Sequence, residues 1–334
     1  MRLIFAVAAC ALIVTAAGCA KSSTGPSEVT SDQRFEGVTV SAIDGAPTAG
    51  LSVQVGNGKA VTTDASGRFI TEISGPGDYT AVVSGAAIVE RHTMVTGPAS
   101  APTRLSLMPA SFDVHAFDEM FRTANARLQR WTTRPSLVVL GTVMNYRGPA
   151  EEFAATSESM SDDETALLVT HLNEGLALMT GGTYTSFAEV KIERPASGAR
   201  SSVARAGWIV VGRYNGVQTF ASTIGYGTWA EDVDGSVVGG AMFLDARFDK
   251  NDDRRRLLRI HELGHALGQL HVESRVSIMN PAIGPEPTEF DRQAAVVAFQ
   301  RQPGNVSPDT DPETTGKSGP WNIRWAAPVT CTLR

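Results

Sequence analysis

The pattern of hydrophobic and polar residues divides the chain near residue 110. Before that point, short apolar runs such as VTVSAI, LSVQV and YTAVVS are separated about every 8–12 residues by turn sequences such as DGAPTAG, GNG and GPGD. This spacing is typical of short strands that reverse direction at glycine- and proline-rich turns. Residues 35–109 are therefore predicted to form a small antiparallel β-sandwich.

After residue 112 the chain shows longer elements. Apolar positions three and four residues apart predict a first helix of about five turns, which carries Phe117, Met120, Phe121, Ala124, Leu128 and Trp131. A buried strand (SLVVLGTV) follows, and then a second helix over 162–182. Strand-like runs come next, over 187–193, 207–214 and 239–248, and a final helix covers 287–304. Thr288 and Asp291 are placed to cap the last helix. This order predicts an α+β fold in which helices cover a twisted mixed sheet.

The beginning of the chain is predicted to be a targeting segment. Arg2 precedes the apolar run LIFAVAACALIVTAA, which is shorter than the roughly 20 residues that a membrane-spanning helix needs. Residues 1–19 are therefore interpreted as a signal peptide. Residues 20–34 are small and polar, which favours a flexible tether between this segment and the first domain.

The signal peptide ends in AAGC, Ala16 to Cys19, which resembles the lipobox of bacterial lipoproteins with alanine where leucine is commonest. The resemblance implies that Cys19 is acylated and anchors the protein to a membrane of the bacterial cell envelope, at the outer membrane or cell surface. Several acyl chains give a stable anchor, since each buried methylene contributes about 0.8 kcal/mol. The alternative is a plain signal peptide, whose removal would release a secreted protein.

The end of the chain, residues 304–334, is predicted to be a tail. Residues 305–320 are rich in proline, aspartate, threonine and glycine, so we expect them to be loose. Apolar and polar residues then alternate at Trp321, Ile323 and Trp325, which indicates an edge strand to which the sequence assigns no function.

The composition restricts the possible binding partners and disulfide bonds of the protein. The chain is 42% hydrophobic and 19% charged, as ordinary globular proteins are, and its net charge is −6. It has no long basic run, so we expect no nucleic-acid partner. Cys10 lies in the signal peptide and Cys19 is the lipidation candidate, which leaves Cys331 either as a free thiol or to pair between chains.

Candidate chemistry is concentrated in HELGHALGQLH, residues 261–271, which contains three of the six histidines of the chain. His261 and His265 are four residues apart, so on a helix they share one face with Cβ atoms about 5–6 Å apart. Both can then reach one zinc ion, and Gly268 allows the chain to turn so that His271 becomes a third ligand. Three protein ligands leave a fourth position for water, which is typical of catalytic zinc.

These residues, followed by Met279 in SIMNP, form the pattern HExxHxxGxxH with a methionine turn and resemble the metzincin zinc peptidases. The step from His271 to Met279, and Pro281, are similar to the matrixins, although Val272 stands where matrixins usually have serine. No cysteine lies between the tether and this region, so the cysteine-switch latch of matrixins is missing. The resemblance implies a metzincin-like catalytic domain over residues 112–303.

For this domain the resemblance implies one catalytic Zn²⁺ ion, held by His261, His265 and His271. Glu262 would act as the general base that takes a proton from the zinc-bound water. Met279 would form a structural floor beneath the imidazoles and take no part in the reaction.

The β-rich region has a resemblance of its own. DGAPTAGLSVQV, TTDASGRF and PGDYTAVVS are similar to the carboxypeptidase-regulatory-like β-sandwich repeat. These motifs are turn sequences, which specify shape and not activity. A spacer or stalk is the simpler interpretation, and a substrate- or glycan-binding module is the alternative.

The function predicted from these features is a zinc-dependent endopeptidase displayed on the bacterial cell envelope. The resemblance implies that a peptide or protein substrate binds as an extended strand, antiparallel to the edge strand of the sheet, which we expect to be GGAMFLDARF (239–248). Two alternatives remain. One is a non-catalytic adhesin or binding protein on a peptidase scaffold, and the other is a hydrolase of an envelope polymer.

Overall fold

The part of the chain that can be described begins just before the predicted sandwich. The computed structural model describes residues 33–122, 126–146, 153–217, 222–313 and 323–333. The predicted signal peptide with Cys19, and all but the last two residues of the tether, lie outside these ranges. None of the helices within them is long and apolar enough to cross a membrane.

The first part of the fold consists of seven strands in two sheets. These strands are β1 (Arg34–Ser41), β2 (Ser52–Val55), β3 (Val61–Thr62), β4 (Arg68–Glu72), β5 (Gly77–Ser84), β6 (Arg91–Gly97) and β7 (Thr103–Leu107). One sheet has the order β4-β1-β7 and the other β3-β2-β5-β6. Buried and exposed residues alternate in β2 and β4, and the buried ones meet in a core that includes Phe35, Val53 and Leu107. Only the pairing of β1 with β7 is parallel within these two sheets.

The second part of the described chain contains helices and a large sheet, so the fold class is α+β with a predominance of strands. Its helices are α1 (Val114–Phe121), α2 (Asp162–Met179), α3 (Ala246–Asn251), α4 (Arg255–Ala266) and α5 (Glu289–Phe299). Its strands are β8 (Arg130–Trp131), β9 (Ser136–Asn145), β10 (Phe153–Ser159), β11 (Val190–Glu193), β12 (Arg200–Ser201), β13 (Trp208–Asn215), β14 (Thr223–Glu231), β15 (Ser236–Asp245), β16 (Arg324–Trp325) and β17 (Val329–Thr332).

The large sheet runs in the order β12-β10-β9-β13-β15-β14-β16, and β17 also pairs with β14. Strands β9, β13 and β15 are parallel, and β14 is antiparallel to β15. Strands β14 and β15 are buried along their whole length. Continuous burial of this kind is expected where both faces of a sheet are covered.

The predicted edge strand is not at the edge, so this prediction was wrong. Residues 239–248 begin inside β15, which has β13 on one side and β14 on the other. A tight turn, Asp232 to Gly235, returns the chain from β14 to β15, and Gly235 takes the left-handed conformation there (φ +88°). The sequence reading missed β14 because its two glycines, Gly225 and Gly227, interrupt the apolar pattern.

The predicted five-turn helix is also shorter than expected. Helix α1 ends at Phe121, because Arg122 adopts an extended backbone (φ −115°, ψ 104°). The buried guanidinium of Arg122 donates to Asn305 Oδ1 at 2.6 Å and to the Pro308 carbonyl at 3.1 Å. Leu128 and Trp131 are buried as predicted, but Trp131 lies in β8 and Leu128 outside any helix. Tertiary contacts therefore override the helical spacing here, and Ala124 lies outside the described residues.

Helices α2 and α5 begin at capping boxes. In α2 the Ser161 hydroxyl accepts from the Glu164 N–H at 3.2 Å, and the Glu164 carboxylate accepts from the Ser161 N–H at 2.8 Å. Thr288 and Asp291 form the same arrangement at the start of α5, as the sequence predicted. Each box satisfies backbone donors that have no partner within the helix.

The tail is ordered over residues 305–313, so the prediction of a loose segment was wrong there. Asp309 and Asp311 are buried and accept hydrogen bonds from Arg91 of β6 at 2.7 and 2.6 Å. Arg301, just after α5, donates to both carboxylate oxygens of Asp309. The charges of this acidic segment are thus neutralised by buried arginines, which holds the segment in place.

Candidate metal centre

Helix α4 carries His261, Glu262 and His265. All three side chains are buried, and the helix packs against α2, β14 and β15. Because His261 and His265 are one helical turn apart, their rings face the same side, with ring centroids 4.7 Å apart. The helix therefore presents two imidazoles and a carboxylate to a single buried location.

A buried ion-pair network fixes the beginning of α4. Arg259 donates to both carboxylate oxygens of Asp249, at 2.7 and 2.8 Å, and Arg213 of β13 donates to the same carboxylate at 2.7 Å. The three side chains are at most 3% exposed. A bidentate arginine–carboxylate pair has a fixed geometry, so this network sets the rotation of α4. Sequence reasoning missed Asp249, since nothing in DKNDD distinguishes a buried aspartate from its exposed neighbours.

The chain leaves α4 through a glycine turn that returns His271 to the site. Gly268 has a φ of +96°. Its N–H donates to the His265 carbonyl, and the Gln269 N–H donates to the Gly264 carbonyl. A Cβ on Gly268 would lie 2.9 Å from Val237 Cγ2, so the turn also lies tightly against β15. The ring of His271 is consequently 5.3 Å from that of His261 and 4.9 Å from that of His265.

Backbone carbonyls orient two of the three imidazoles. His261 Nδ1 is 2.8 Å from the Ile278 carbonyl, and His265 Nδ1 is 2.8 Å from the Gln269 carbonyl. A carbonyl only accepts, so each Nδ1 carries the proton and each Nε2 keeps a lone pair. Such second contacts are what fix the tautomer of metal-binding histidines.

The arrangement fits a metal ion. Nε2 of His261 and Nε2 of His265 are 3.0 Å apart, and two lone pairs at that distance repel each other unless a cation lies beside both. Nitrogens at about 2.0–2.1 Å from a tetrahedral zinc ion are about 3.3 Å from one another. The ligand nitrogens of all three histidines lie within 4.8 Å of one another, and His271 Nε2 is buried without a hydrogen-bond partner among the described residues.

Burial keeps these imidazoles neutral. It lowers the pKa of His261 to about 3, with a further contribution from His271, and it lowers the pKa of His271 to about 4. The pKa of His265 is lowered for the same reason, and by the two neighbouring imidazoles. A neutral imidazole is the form that binds metals, so all three are available as ligands at neutral pH.

Glu262 is buried beside the histidines and lacks a partner. Neither of its carboxylate oxygens makes a hydrogen bond within the described chain, although both are inaccessible to solvent. Burial raises the pKa of this carboxyl well above its usual value. A buried carboxylate without a partner costs free energy, which is typical of a group kept for chemistry and not for stability.

Met279 lies in a turn that is fixed to α5. The Ile278 N–H donates to Asp291 at 3.2 Å, and the Met279 carbonyl accepts from the Val272 N–H at 2.9 Å. Met279 is fully buried, and a Cβ on Gly264 would lie only 2.7 Å from its sulfur. The glycine of HELGH thus allows the turn to approach α4 closely, which holds the Ile278 carbonyl against His261.

Two glycines of β14 allow the same close approach on the other side of α4. A Cβ on Gly225 would lie 2.3 Å from Glu262 Oε1, and a Cβ on Gly227 would lie 2.3 Å from the Cβ of His265. A larger residue at either position would displace the candidate site. The sequence contains this signal as the G-Y-G spacing in TIGYGTWAE, which sequence reasoning did not use.

Cys331 is a site residue that the sequence did not reveal. It lies in β17, is fully buried, and its sulfur is within 4.8 Å of ligand atoms of both His261 and Glu262. Burial raises the pKa of its thiol, and the Glu262 carboxylate adds to the shift. No local pattern links a cysteine to a histidine motif 60 residues earlier, so only the fold brings them together.

No protein-family model matches the sequence, and a search of curated proteins finds no match. The resemblance to metzincins is therefore limited to the motif residues. What the structure adds is the geometry of three histidines and a glutamate that the fold brings together.

Proposed function

We propose that the protein is a zinc-dependent endopeptidase of the metzincin type, similar to the matrixins. One observation carries this proposal: the unpartnered carboxylate of Glu262 lies next to three imidazoles whose lone pairs are free. A structural zinc site has no use for such a carboxylate.

The histidines and Glu262 would have separate roles in peptide hydrolysis. His261, His265 and His271 would hold a zinc ion, which when bound would lower the pKa of a water molecule toward about 7 and polarise the scissile carbonyl. Glu262 would act as the general base that accepts a proton from the attacking water and would pass it to the leaving amine. The Ile278 and Gln269 carbonyls keep the two helix imidazoles in the required tautomer.

The substrate proposal changes in one respect from the sequence expectation. We infer that an extended peptide pairs with β14, and not with β15, because β14 runs directly beside Glu262 and His265 at Gly225 and Gly227. Pairing along a strand edge recognises the peptide backbone and leaves alternate side chains to select the sequence.

The position of the enzyme in the cell is part of the proposal. Acylation at Cys19 would attach it to the bacterial envelope, with the seven-stranded region as a spacer between membrane and catalytic domain. Mass spectrometry of the mature protein from a membrane fraction tests this directly. A mature N-terminus at another residue, without acyl mass, would replace the anchored form by a secreted one.

The first prediction concerns Glu262. Substituting Glu262→Gln in a soluble protein of residues 20–334 should reduce peptidase activity by about 10²–10⁴-fold while zinc stays bound, because the amide cannot accept a proton. Cleavage of a peptide library, read by mass spectrometry, gives the activity, and metal analysis gives the zinc content. Glu289→Gln on the exposed face of α5 is the matched control and should behave like the wild type. Near-normal cleavage by the Glu262 variant would refute the proposed mechanism.

One observation favours the alternative of a non-catalytic binding protein. His261 is 1% exposed and Glu262 is fully buried in the described structure, so a substrate cannot reach them without a rearrangement. A folded wild type that binds zinc but cuts no peptide, even after removal of β17, which pairs with β14 beside the site, would support this alternative.

A further inference from the structure

The C-terminal strand β17 lies in a slot beside the candidate metal centre. On one side it pairs antiparallel with β14. On the other side its Thr332 N–H donates to the Pro281 carbonyl at 3.1 Å, and the Thr332 carbonyl accepts from the Ile283 N–H at 2.9 Å. A four-residue strand is thus bonded by its backbone along both edges, as a bound peptide would be.

The register of this strand places Cys331 at the site. Cys331 is opposite Gly225, the residue whose missing side chain makes room for Glu262. The Cys331 sulfur is within 4.8 Å of ligand atoms of His261 and of Glu262, but not of both His265 and His271, so the sulfur must move closer to complete a tetrahedron around a metal ion. Thr330 and Thr332, the neighbours of Cys331 in the strand, point to the opposite face of β17. Val329 shares this face with Cys331 and is opposite Gly227, so Cys331 is the residue on this face of β17 that carries a metal-ligand atom.

We propose that residues 323–333 form an inhibitory strand, which occupies the place of a peptide substrate and supplies the Cys331 sulfur as the fourth ligand of the metal ion. This inference rests on the proposed function and adds regulation to it. Three histidines leave one coordination position open, and a thiolate is a preferred zinc ligand. When the sulfur binds, the thiol releases its proton to solvent, as cysteine ligands do. Activity then requires that the strand leave.

The pairing of the segment with the rest of the fold is compatible with its release. Strands β16 and β17 have only two and four residues, and Arg324, Trp325 and Ala327 are exposed or half-buried. Besides the backbone bonds, the Thr228 hydroxyl donates to the Ala326 carbonyl at 2.8 Å, and Val329 and Leu333 pack against the core. Among the described residues one ion pair, Arg324 with Glu231, also holds this segment, and the arginine is 68% exposed in it. An exposed ion pair contributes little, so the thiol–metal bond would be the strongest single attachment.

Cobalt spectroscopy tests the ligand directly. Co²⁺ replaces Zn²⁺ in histidine–cysteine sites and shows a sulfur-to-metal charge-transfer band in the near ultraviolet when a thiolate is bound. We expect this band in residues 20–334 of the wild type and in Thr330→Ala, the matched control. The band should be missing in Cys331→Ala and Cys331→Ser, which should still bind cobalt through the three histidines. A thiol reagent should react with the wild type slowly when metal is bound and readily after chelation.

The outcomes separate this inference from the proposed function. If the wild type binds no cobalt, the histidine site itself is wrong. If it binds cobalt without the sulfur band, and the thiol reacts equally with and without metal, the inhibitory ligand is wrong while the zinc site stands.

Release of the strand tests the inhibition. A recognition sequence for a specific protease, introduced between residues 313 and 323, allows the strand to be cut from the folded, zinc-loaded chain. Cutting and dilution should raise peptidase activity by about tenfold or more. This factor is expected if the strand occupies the site in more than about 90% of the molecules before cutting. The peptide IRWAAPVTCTLR should then inhibit, and its Cys→Ser version should inhibit less. Lower activity after cutting, with no inhibition by the peptide, would identify β17 as an ordinary structural strand.

Discussion

At the scale of single residues, the site depends on glycines, which have no side chain, as much as on the histidines and the glutamate. Gly225 and Gly227 of β14 and Gly264 of α4 have neighbours within 2.3–2.7 Å of where a Cβ would stand. These contacts involve Glu262, His265 and Met279, so the glycines determine how closely strand, helix and turn meet. The strand glycines would ordinarily weaken a sheet, which makes the close approach of α4 the physical reason for them.

Gly227→Ala is the third prediction. The new methyl group would lie 2.3 Å from the His265 Cβ and 2.8 Å from the Glu262 carbonyl oxygen, and neither atom is the end of a flexible side chain. Helix α4 must shift, so we expect a loss of about 1–3 kcal/mol in the free energy of unfolding and weaker zinc binding. Urea denaturation and competition with a zinc indicator measure the two effects.

Gly77→Ala provides the control for this substitution. Gly77 lies in a strand of the first part of the fold and has no atom within 4 Å of its added Cβ, so the change should be nearly neutral. If Gly227→Ala matched Gly77→Ala in both assays, the close contact between β14 and α4 would not exist in solution.

At the scale of elements, α2 is joined to α4 through its first turn. Glu164 caps α2 and accepts from Arg213 Nη1 at 2.6 Å, and Arg213 in turn binds Asp249, which holds Arg259 of α4. The hydrogen bond from Arg213 is the main reason that the pKa of Glu164 is lowered to about 2. One carboxylate therefore contributes both to the start of a helix and to the network that orients the histidines.

Acid sensitivity of this junction is the fourth prediction, after those for Glu262, Cys331 and Gly227. Because the folded-state pKa of Glu164 is below the unfolded value of 4.5, folding favours the charged form. Its contribution is present above about pH 4.5 and is lost as the pH falls toward 2. Glu164→Gln should therefore be less stable than the wild type at pH 7, and the difference should shrink below pH 4.5. Denaturant melts at several pH values measure it, and a difference that is independent of pH would contradict the assignment.

At this scale, the sequence predicted the features that depend on interactions between nearby residues and missed those that depend on residues far apart in the chain. The helix of His261 and His265 and the turn at Gly268 are local, so spacing and residue type were sufficient to predict them. The position of β14 beside the site depends on pairing between strands, and the contact of Cys331 depends on a strand 60 residues away. The only local trace of β14 is its G-Y-G spacing, and the contact of Cys331 leaves none. The early end of α1 leaves none either, because tertiary hydrogen bonds of Arg122 enforce it.

At the scale of the whole molecule, a buried network joins the two parts of the fold. Arg91 comes from β6 in the first part, whereas Arg301, Asp309 and Asp311 belong to the end of the second. Burial lowers the pKa of Arg301 to about 10, although Asp309 partly compensates. Gln300 also donates to the Ala42 carbonyl at 2.8 Å, and Ala42 contributes to the core of the second part. The two parts are thus connected by buried ion pairs between arginine and aspartate side chains.

The last prediction concerns this connection. Asp309 is fully buried and accepts hydrogen bonds from both Arg91 and Arg301, so Asp309→Ala would leave two buried guanidinium groups without their shared carboxylate. Breaking a buried ion pair from one side costs about 3–5 kcal/mol, and we expect the thermal unfolding transition to fall and to split as the first part melts separately. Glu158→Gln, which breaks the exposed pair with Lys250, should change stability by about 1 kcal/mol or less. A single transition in Asp309→Ala, at the wild-type midpoint, would mean that Asp309 does not couple the two parts of the fold.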